Sequence, residues 1–189
     1  MARSEGSMRL SAARRREIAE LRLIAQGVVD RPFADPRAVA RHLGCLQGQH
    51  LGGVMAATAL RLHAGLGLTE VRAGFADGSI VRGYPMRGTV FLVAADDIAW
   101  MTEITSARQL QGAATRRAEH GFSEADLDRA AEVARAALAE APGASLSREG
   151  LSQALSEQGI ALDGGQRYHL IYSLIVAGML VYGPLHGSD

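Results

Sequence analysis

Two primary amides one residue apart are the most distinctive chemistry in this chain. Gln47 and Gln49 flank Gly48 in the segment CLQGQH, between stretches that read as helices. In extended backbone, residues two apart project to the same side, so both amides would face one cleft. Each amide carries two N–H donors and a carbonyl acceptor, enough to hold a water, a base edge or a sugar oxygen. Neither is a strong base. The pair can position and polarise but cannot abstract a proton. The competing reading is that both amides cap exposed helix ends.

A second group surrounds Arg87-Gly88-Thr89. Gly88 permits a positive φ or a close backbone approach, and Arg87 at a turn could reach a phosphate. An ordinary turn with a solvated Arg is the alternative. Other arrangements exclude chemistries. His42, His50 and His63 are too loosely spaced for a metal site, and the single cysteine, Cys45, forms no CxxC or Cys/His pattern. The chain contains no GxxxxGK[ST], GxSxG or HExxH. We expect no cofactor and no metal.

The elements that must position these residues follow from local signals. Ser11 can cap a helix to about Gly27; its early Arg14, Arg15 and Arg16 oppose the helix dipole and need phosphate or a nearby carboxylate. Asp35-Pro36 opens a short helix that Gly44 ends. A helix from about Gly53 to Leu62 and another from Thr69 to Phe75 follow. The period then changes. Ser79–Tyr84 and Thr89–Val93 read as antiparallel strands joined by PMRG. Helices followed by a hairpin is the order of a winged helix-turn-helix.

Asp96 and Asp97 start a long helix over roughly 95–118, with Trp100 expected in the core among Ile98, Met101 and Ile104. Ser123 with Asp126 marks a further helix to Glu140, and APGAS breaks the chain. Ser147 begins a helix stopped at Gly159, and Gly164-Gly165 precede one that Gly178 ends. Tyr168 and Tyr172 on that last helix read as core packing. Met179–Tyr182 reads as the first strand of a second wing. We therefore expect a mainly α protein with short β-hairpins, α+β, built of tandem winged helix-turn-helix modules. Residues 1–10 form a frayed N-terminus, 11–120 a first module plus a long connecting helix, and 121–189 a second module whose wing is incomplete.

Charge adds a polarity. Lys and Arg total 20 against 20 Asp and Glu, and every cation is Arg. Residues 1–63 carry ten Arg against five acids, whereas residues 121–189 carry four against nine. A basic first third suits a protein presenting one face to a polyanion. No apolar run is long enough to span a membrane, and the first ten residues lack the apolar centre of a signal peptide. The expected location is cytoplasmic.

Two stretches, LGCLQGQHLGGVMAATALRL (43–62) and IVRGYPMRGTVFLVAADDIAW (80–100), together resemble the AlkZ-type winged-helix DNA glycosylases. A third, GGQRYHLIYSLIVAGMLVYGP (164–184), resembles that family's second winged helix. The resemblance implies a monofunctional hydrolase that excises alkylated purines, notably N7-alkylguanine, from double-stranded DNA. It implies that Gln47 and Gln49 are the catalytic pair; His50, Arg72, Arg82, Arg87 and Thr89 are the residues expected to contact DNA. It also implies a further winged helix and a β-rich region beyond this portion. Three positions depart from the pattern. Gly48 replaces an apolar side chain and is expected to loosen the loop. His50 stands where some members carry Asp, and Phe91 where a His is common. The alternative function is a non-enzymatic winged-helix regulator, which would read an intact sequence through a recognition helix. The helix at 69–76 offers it only Arg72.

Overall fold

A computed structural model describes residues 10–185 of the chain. Most of the expected frayed N-terminus, and the tail with His186, lie outside the described residues. Helix α1 (Ala12–Ala25) starts at Ser11, whose hydroxyl accepts from the Arg14 N–H. Its arginines are answered locally: Arg14 pairs with Glu17 at 2.7 Å, Arg16 with Glu20 at 3.2 Å, and Arg15 donates to the Leu10 carbonyl. No residue of α1 is buried. The helix is tied down at its C-terminal end by Arg61, which donates to the Gln26 carbonyl at 2.8 Å and to the Ala57 carbonyl at 2.6 Å.

The first module follows from its caps. Asp35 accepts from the Ala38 N–H at 2.8 Å, Pro36 occupies the first helical position, and α2 (Pro36–Leu43) ends on Gly44 at φ +73°. A short strand, β1 (Leu46–Gln47), comes next, which the sequence reading did not contain. Helices α3 (Leu51–Ala59) and α4 (Leu68–Ala76) then lead into β2 (Ile80–Met86) and β3 (Thr89–Ala94). The sheet has the order β1-β3-β2, wholly antiparallel. Val39, Val54, Leu62, Val71, Phe75, Ile80 and Leu92 form the core between the helices and the sheet. This is a helix-turn-helix with its wing.

The hairpin turn is built by Arg87 (φ +54°) and Gly88 (φ +67°), with Met86 opposite Thr89. Positive φ at both central residues is the tight turn whose twist suits a hairpin. The register shifts between Gly83 and Met86, so Tyr84 and Pro85 together oppose Val90. Pro85, which has no N–H, sits in this bulge, where no ladder donor is lost.

The long helix expected over 95–118 is two helices, α5 (Ala95–Thr105) and α6 (Ala107–Glu119), separated at Ser106. The Thr105 hydroxyl hydrogen-bonds the carbonyl of Met101 one turn back and that of Pro85 on the hairpin. Such back-bonding bends helices. Trp100 is not in the core: it is 48% exposed, and its indole N–H donates to Asp97 at 2.9 Å. Met101 and Thr102 are the buried residues of α5.

The second module comprises α7 (Glu124–Glu140), α8 (Arg148–Glu157) and α9 (Gly164–Val176), with a short 3-10 turn over Pro142–Ala144. Ser123 and Asp126 form a reciprocal capping box, and Ser147 caps α8. Leu127, Leu151, Leu155, Leu170 and Leu174 form this core, which Tyr84 of β2 completes. Tyr172 packs edge-on against Tyr84, whereas Tyr168 is 52% exposed.

The expected strand over Met179–Tyr182 is also corrected. Among the described residues it forms no strand of a second wing. Tyr182 instead bridges antiparallel to Arg82, with N–H···O bonds of 3.0 and 2.8 Å in both directions. The open edge of β2 captures the segment that leaves α9. The first wing is therefore shared between the two modules.

Candidate functional site

Gln47 ends β1 directly opposite Phe91 of β3. The next residue, Gly48, continues the pairing: its N–H donates to the Val90 carbonyl at 2.8 Å. A β-carbon on Gly48 would stand 3.0 Å from the Leu92 nitrogen and the Phe91 carbonyl carbon. The expectation that glycine loosens this loop is therefore corrected. Gly48 is what lets the loop lie flat on β3, because any larger side chain meets backbone.

Both glutamines are exposed, on either side of buried Gly48. Gln47 Nε2 donates to Gln49 Oε1 at 3.4 Å, and the same oxygen accepts from the Val90 N–H at 3.3 Å. The strand thus orients Gln49, and Gln49 orients Gln47. Among the described residues, neither Gln47 Oε1 nor the Gln49 NH2 group has a protein partner. An acceptor and a pair of donors are left side by side at the surface, the requirement for holding a water or a sugar oxygen. Neither amide caps a helix. The cap of α3 is His50, whose Nδ1 accepts from the Gly53 N–H at 2.9 Å. That bond requires the proton on Nε2, so His50 offers an outward donor beside the amides.

Arg82 underlies the loop. It lies on β2, half-buried, and its Nη1 donates to the Gly48 carbonyl at 3.2 Å. Its guanidinium stands 5.5 Å from the centroid of the Tyr182 ring. Burial pushes the Arg82 pKa down, while the Tyr182 and Tyr84 hydroxyls act in the opposite sense. Arginine remains charged nonetheless.

Arg87 points outward from the hairpin turn and is exposed. Its backbone is held by Gln109 of α6. With the amide oriented to satisfy both neighbours, Gln109 accepts from the Arg87 N–H at 2.7 Å and donates to the Thr105 carbonyl at 2.6 Å. Thr89, half-buried, precedes Val90, the residue that anchors Gln49. Arg72 is carried separately, on the exposed face of α4. The structure thus gathers Gln47, Gln49 and His50 at the β1 edge of the sheet, with Arg82 reaching their loop from β2 across β3, Thr89 adjoining and Arg87 at the turn beyond. Two supporting residues escaped the sequence reading. Gln109 and Tyr182 lie far along the chain and carry no local signal. Among the described residues there is no cluster of three His, Cys, Asp or Glu that could hold a metal. Nor is any helix among them long and apolar enough to cross a membrane.

Fold and site define a winged-helix protein that presents two oriented amides, with no acidic partner among the described residues, at the edge of its sheet. The sequence matches the family model of AlkZ-like DNA glycosylases over residues 40–189, and the chain belongs to that family. The matched span includes both glutamines. The fold is similar to the solved structure of Streptomyces sahachiroi DNA glycosylase AlkZ, with a TM-score of 0.67 and 22% identity. The likeness covers 92% of this chain and 47% of that one, so this chain spans about half that protein's length. No curated protein matches the chain.

Proposed function

We propose that this protein is a monofunctional DNA glycosylase that hydrolyses the N-glycosidic bond of alkylated purines in double-stranded DNA, N7-alkylguanine first among them. The observation that carries the reading is the Gln47–Gln49 contact, which leaves one acceptor and one NH2 group unspent at the surface. An N7-alkylpurine is cationic and leaves as a neutral base without being protonated. The enzyme need only place a water and stabilise positive charge developing on the sugar. In this scheme Gln47 Oε1 accepts a hydrogen bond from the water, and the Gln49 NH2 group fixes the water or the lesion nucleotide. The C1′–N9 bond breaks with its electron pair going to the base. The water oxygen bonds C1′ and its proton passes to solvent. His50 Nε2–H lies beside this chemistry as a donor to DNA, while Arg72, Arg87 and Thr89 are the proposed contacts to the duplex. Membership of the AlkZ-like family supports the DNA substrate.

The test is base release. Duplex DNA carrying a single N7-methylguanine is incubated with the chain, and abasic sites are read as strand breaks after alkali. Release above the spontaneous rate supports the proposal. Release no faster than without protein, at concentrations that saturate the duplex, contradicts it for this chain.

A further inference from the structure

Two arginines from different modules converge on one tyrosine. Arg82 comes from β2 and Arg148 is the first residue of α8. Their guanidinium carbons lie 5.5 and 5.6 Å from the centroid of the Tyr182 ring. Arg148 Nη2 also donates to the Tyr182 hydroxyl at 3.4 Å, and that hydroxyl lies 3.3 Å from the Tyr84 hydroxyl.

Among the described residues, no carboxylate pairs with either arginine of this cluster. Six other arginines are answered by acids: Arg14 by Glu17, Arg16 by Glu20, Arg37 and Arg41 by Asp96, Arg116 by Glu119, Arg117 by Glu124; Arg31, Arg61 and Arg129 donate to backbone carbonyls instead. Among the described residues neither Arg82 nor Arg148 makes an ion pair, although Glu149 follows Arg148 on the same helix. The Arg82 Nε is shut off from solvent with no partner. Two like charges are held together by a ring face, one hydroxyl and the Gly48 carbonyl. Cation–π contacts are individually weak and do nothing for the mutual repulsion. Arg148 adds to burial in pushing the Arg82 pKa down. An anion would relieve that repulsion, and a phosphodiester matches the planar guanidinium fork.

We propose that Arg82, Arg148 and Tyr182 form a phosphate site that grips the DNA backbone beside the nucleotide presented to Gln47 and Gln49. The proposal rests on the glycosylase reading for its ligand. Its location comes from the Arg82 bond to the Gly48 carbonyl, which joins the cluster to the amide loop. The second module thereby contributes a contact to a site carried by the first. Arg148 is exposed, so its head can reach a ligand without unfolding the seam.

The experiment is duplex binding by fluorescence anisotropy across a potassium chloride series, using the whole chain and an undamaged, fluorescein-labelled duplex. Arg148→Gln should reduce the steepness of log affinity against log salt by about 0.9, the signature of one lost phosphate contact. Arg148→Lys should keep the slope, because the charge remains. Arg135→Gln, which removes an exposed arginine on α7, should leave it unchanged. Unchanged slope in Arg148→Gln, with wild-type binding intact, overturns the phosphate site and leaves the glycosylase reading standing. So does an equal change in Arg135→Gln, which would make net charge the cause. Loss in Arg148→Lys equal to that in Arg148→Gln assigns Arg148 to packing and also overturns it. No binding by the wild type removes the phosphate site together with the functional reading.

Discussion

Gly48→Ala adds one methyl group where a neighbouring strand already stands. The new β-carbon falls 3.0 Å from the Leu92 nitrogen and the Phe91 carbonyl carbon, and 3.2 Å from Phe91 Cα. These are backbone atoms inside a paired sheet, so they cannot swing aside as a side-chain tip would. The loop must lift off β3. Lifting strains or breaks the Gly48 N–H bond to Val90 and the Arg82 bond to the Gly48 carbonyl. The first is worth ~1 kcal/mol and the second, donated by a charged group, ~1.5–3 kcal/mol. Where the loop stays in place instead, overpacking of ~1–3 kcal/mol replaces these losses. Replacing glycine also stiffens the unfolded chain, which offsets ~0.4–1 kcal/mol. The expected net loss is about 2–4 kcal/mol, or a fall in Tm of roughly 5–15 °C for a chain of this size. Urea unfolding followed by circular dichroism measures it, with the midpoint falling at constant m-value. Base release should fall as well, because Gln49 is oriented by the Val90 N–H that the lifted loop leaves behind. A midpoint and release rate equal to wild type would refute the reasoning, since the methyl would then have been accommodated without moving the amides.

The remaining predictions concern the cap beside the amides and the response to acid. His50→Asp keeps a good N-cap for α3, so stability should change by less than ~0.5 kcal/mol, whereas His50→Ala should cost ~1 kcal/mol in the same melts. The Asp carboxylate also stands where it can orient water and stabilise a cationic sugar, so base release should accelerate; slower release than wild type would contradict the placement of His50 beside the reacting centre. In acid, Asp126 is held below the usual carboxylate range by the Ser123 hydroxyl and N–H, and Glu70 by the Gly67 N–H. Depressed carboxylates bind fewer protons folded than unfolded. Their stabilisation is present above about pH 4 and is lost as pH falls through the lower folded values. His169 is also depressed, by burial first and then by the His120 ring 4.5 Å away, so its contribution fades earlier, as pH drops below about 6.5. Unfolding midpoints against pH should therefore decline in two stages, with Ser123→Ala flattening the acid one and His169→Gln the earlier one. A midpoint that rises on acidification would contradict both.

Much of this fold was legible because its punctuation is local. Asp35-Pro36, the Ser123 and Asp126 pair, Ser147 and the glycines at 44, 159 and 178 each fix a helix end within four residues of themselves. The hairpin was legible for the same reason. What was missed depends on partners remote in sequence. Strand β1 is two residues long and exists only because β3 pairs with it. The break at Ser106 needs the Thr105 hydroxyl to find Pro85. In sequence Met179–Tyr182 reads as the first strand of its own wing, but Tyr182 completes an edge that β2, a hundred residues earlier, leaves open. Trp100 was misplaced because its spacing fits either face of α5, and spacing does not say which face is covered. The candidate site divides the same way. That Gln47 and Gln49 meet follows from alternation in extended chain. That Gly48 tightens their loop does not, because the contact lies with the backbone of Phe91 and Leu92.

The central claim is that two neighbouring amides, without a carboxylate, drive base excision. Its most direct test is single-turnover release of N7-methylguanine from a duplex by the wild type, Gln47→Ala and Gln49→Ala, with melting and duplex binding measured on the same preparations. Each glutamine is exposed and makes few contacts, so both variants should fold and bind as the wild type does. Each should slow release by about 10²–10³-fold, the loss that follows removal of one oriented hydrogen-bonding group at a developing charge. Release that persists at the wild-type rate in both variants, or disappears only together with folding or duplex binding, would contradict the claim and leave the pair a structural element of the sheet edge.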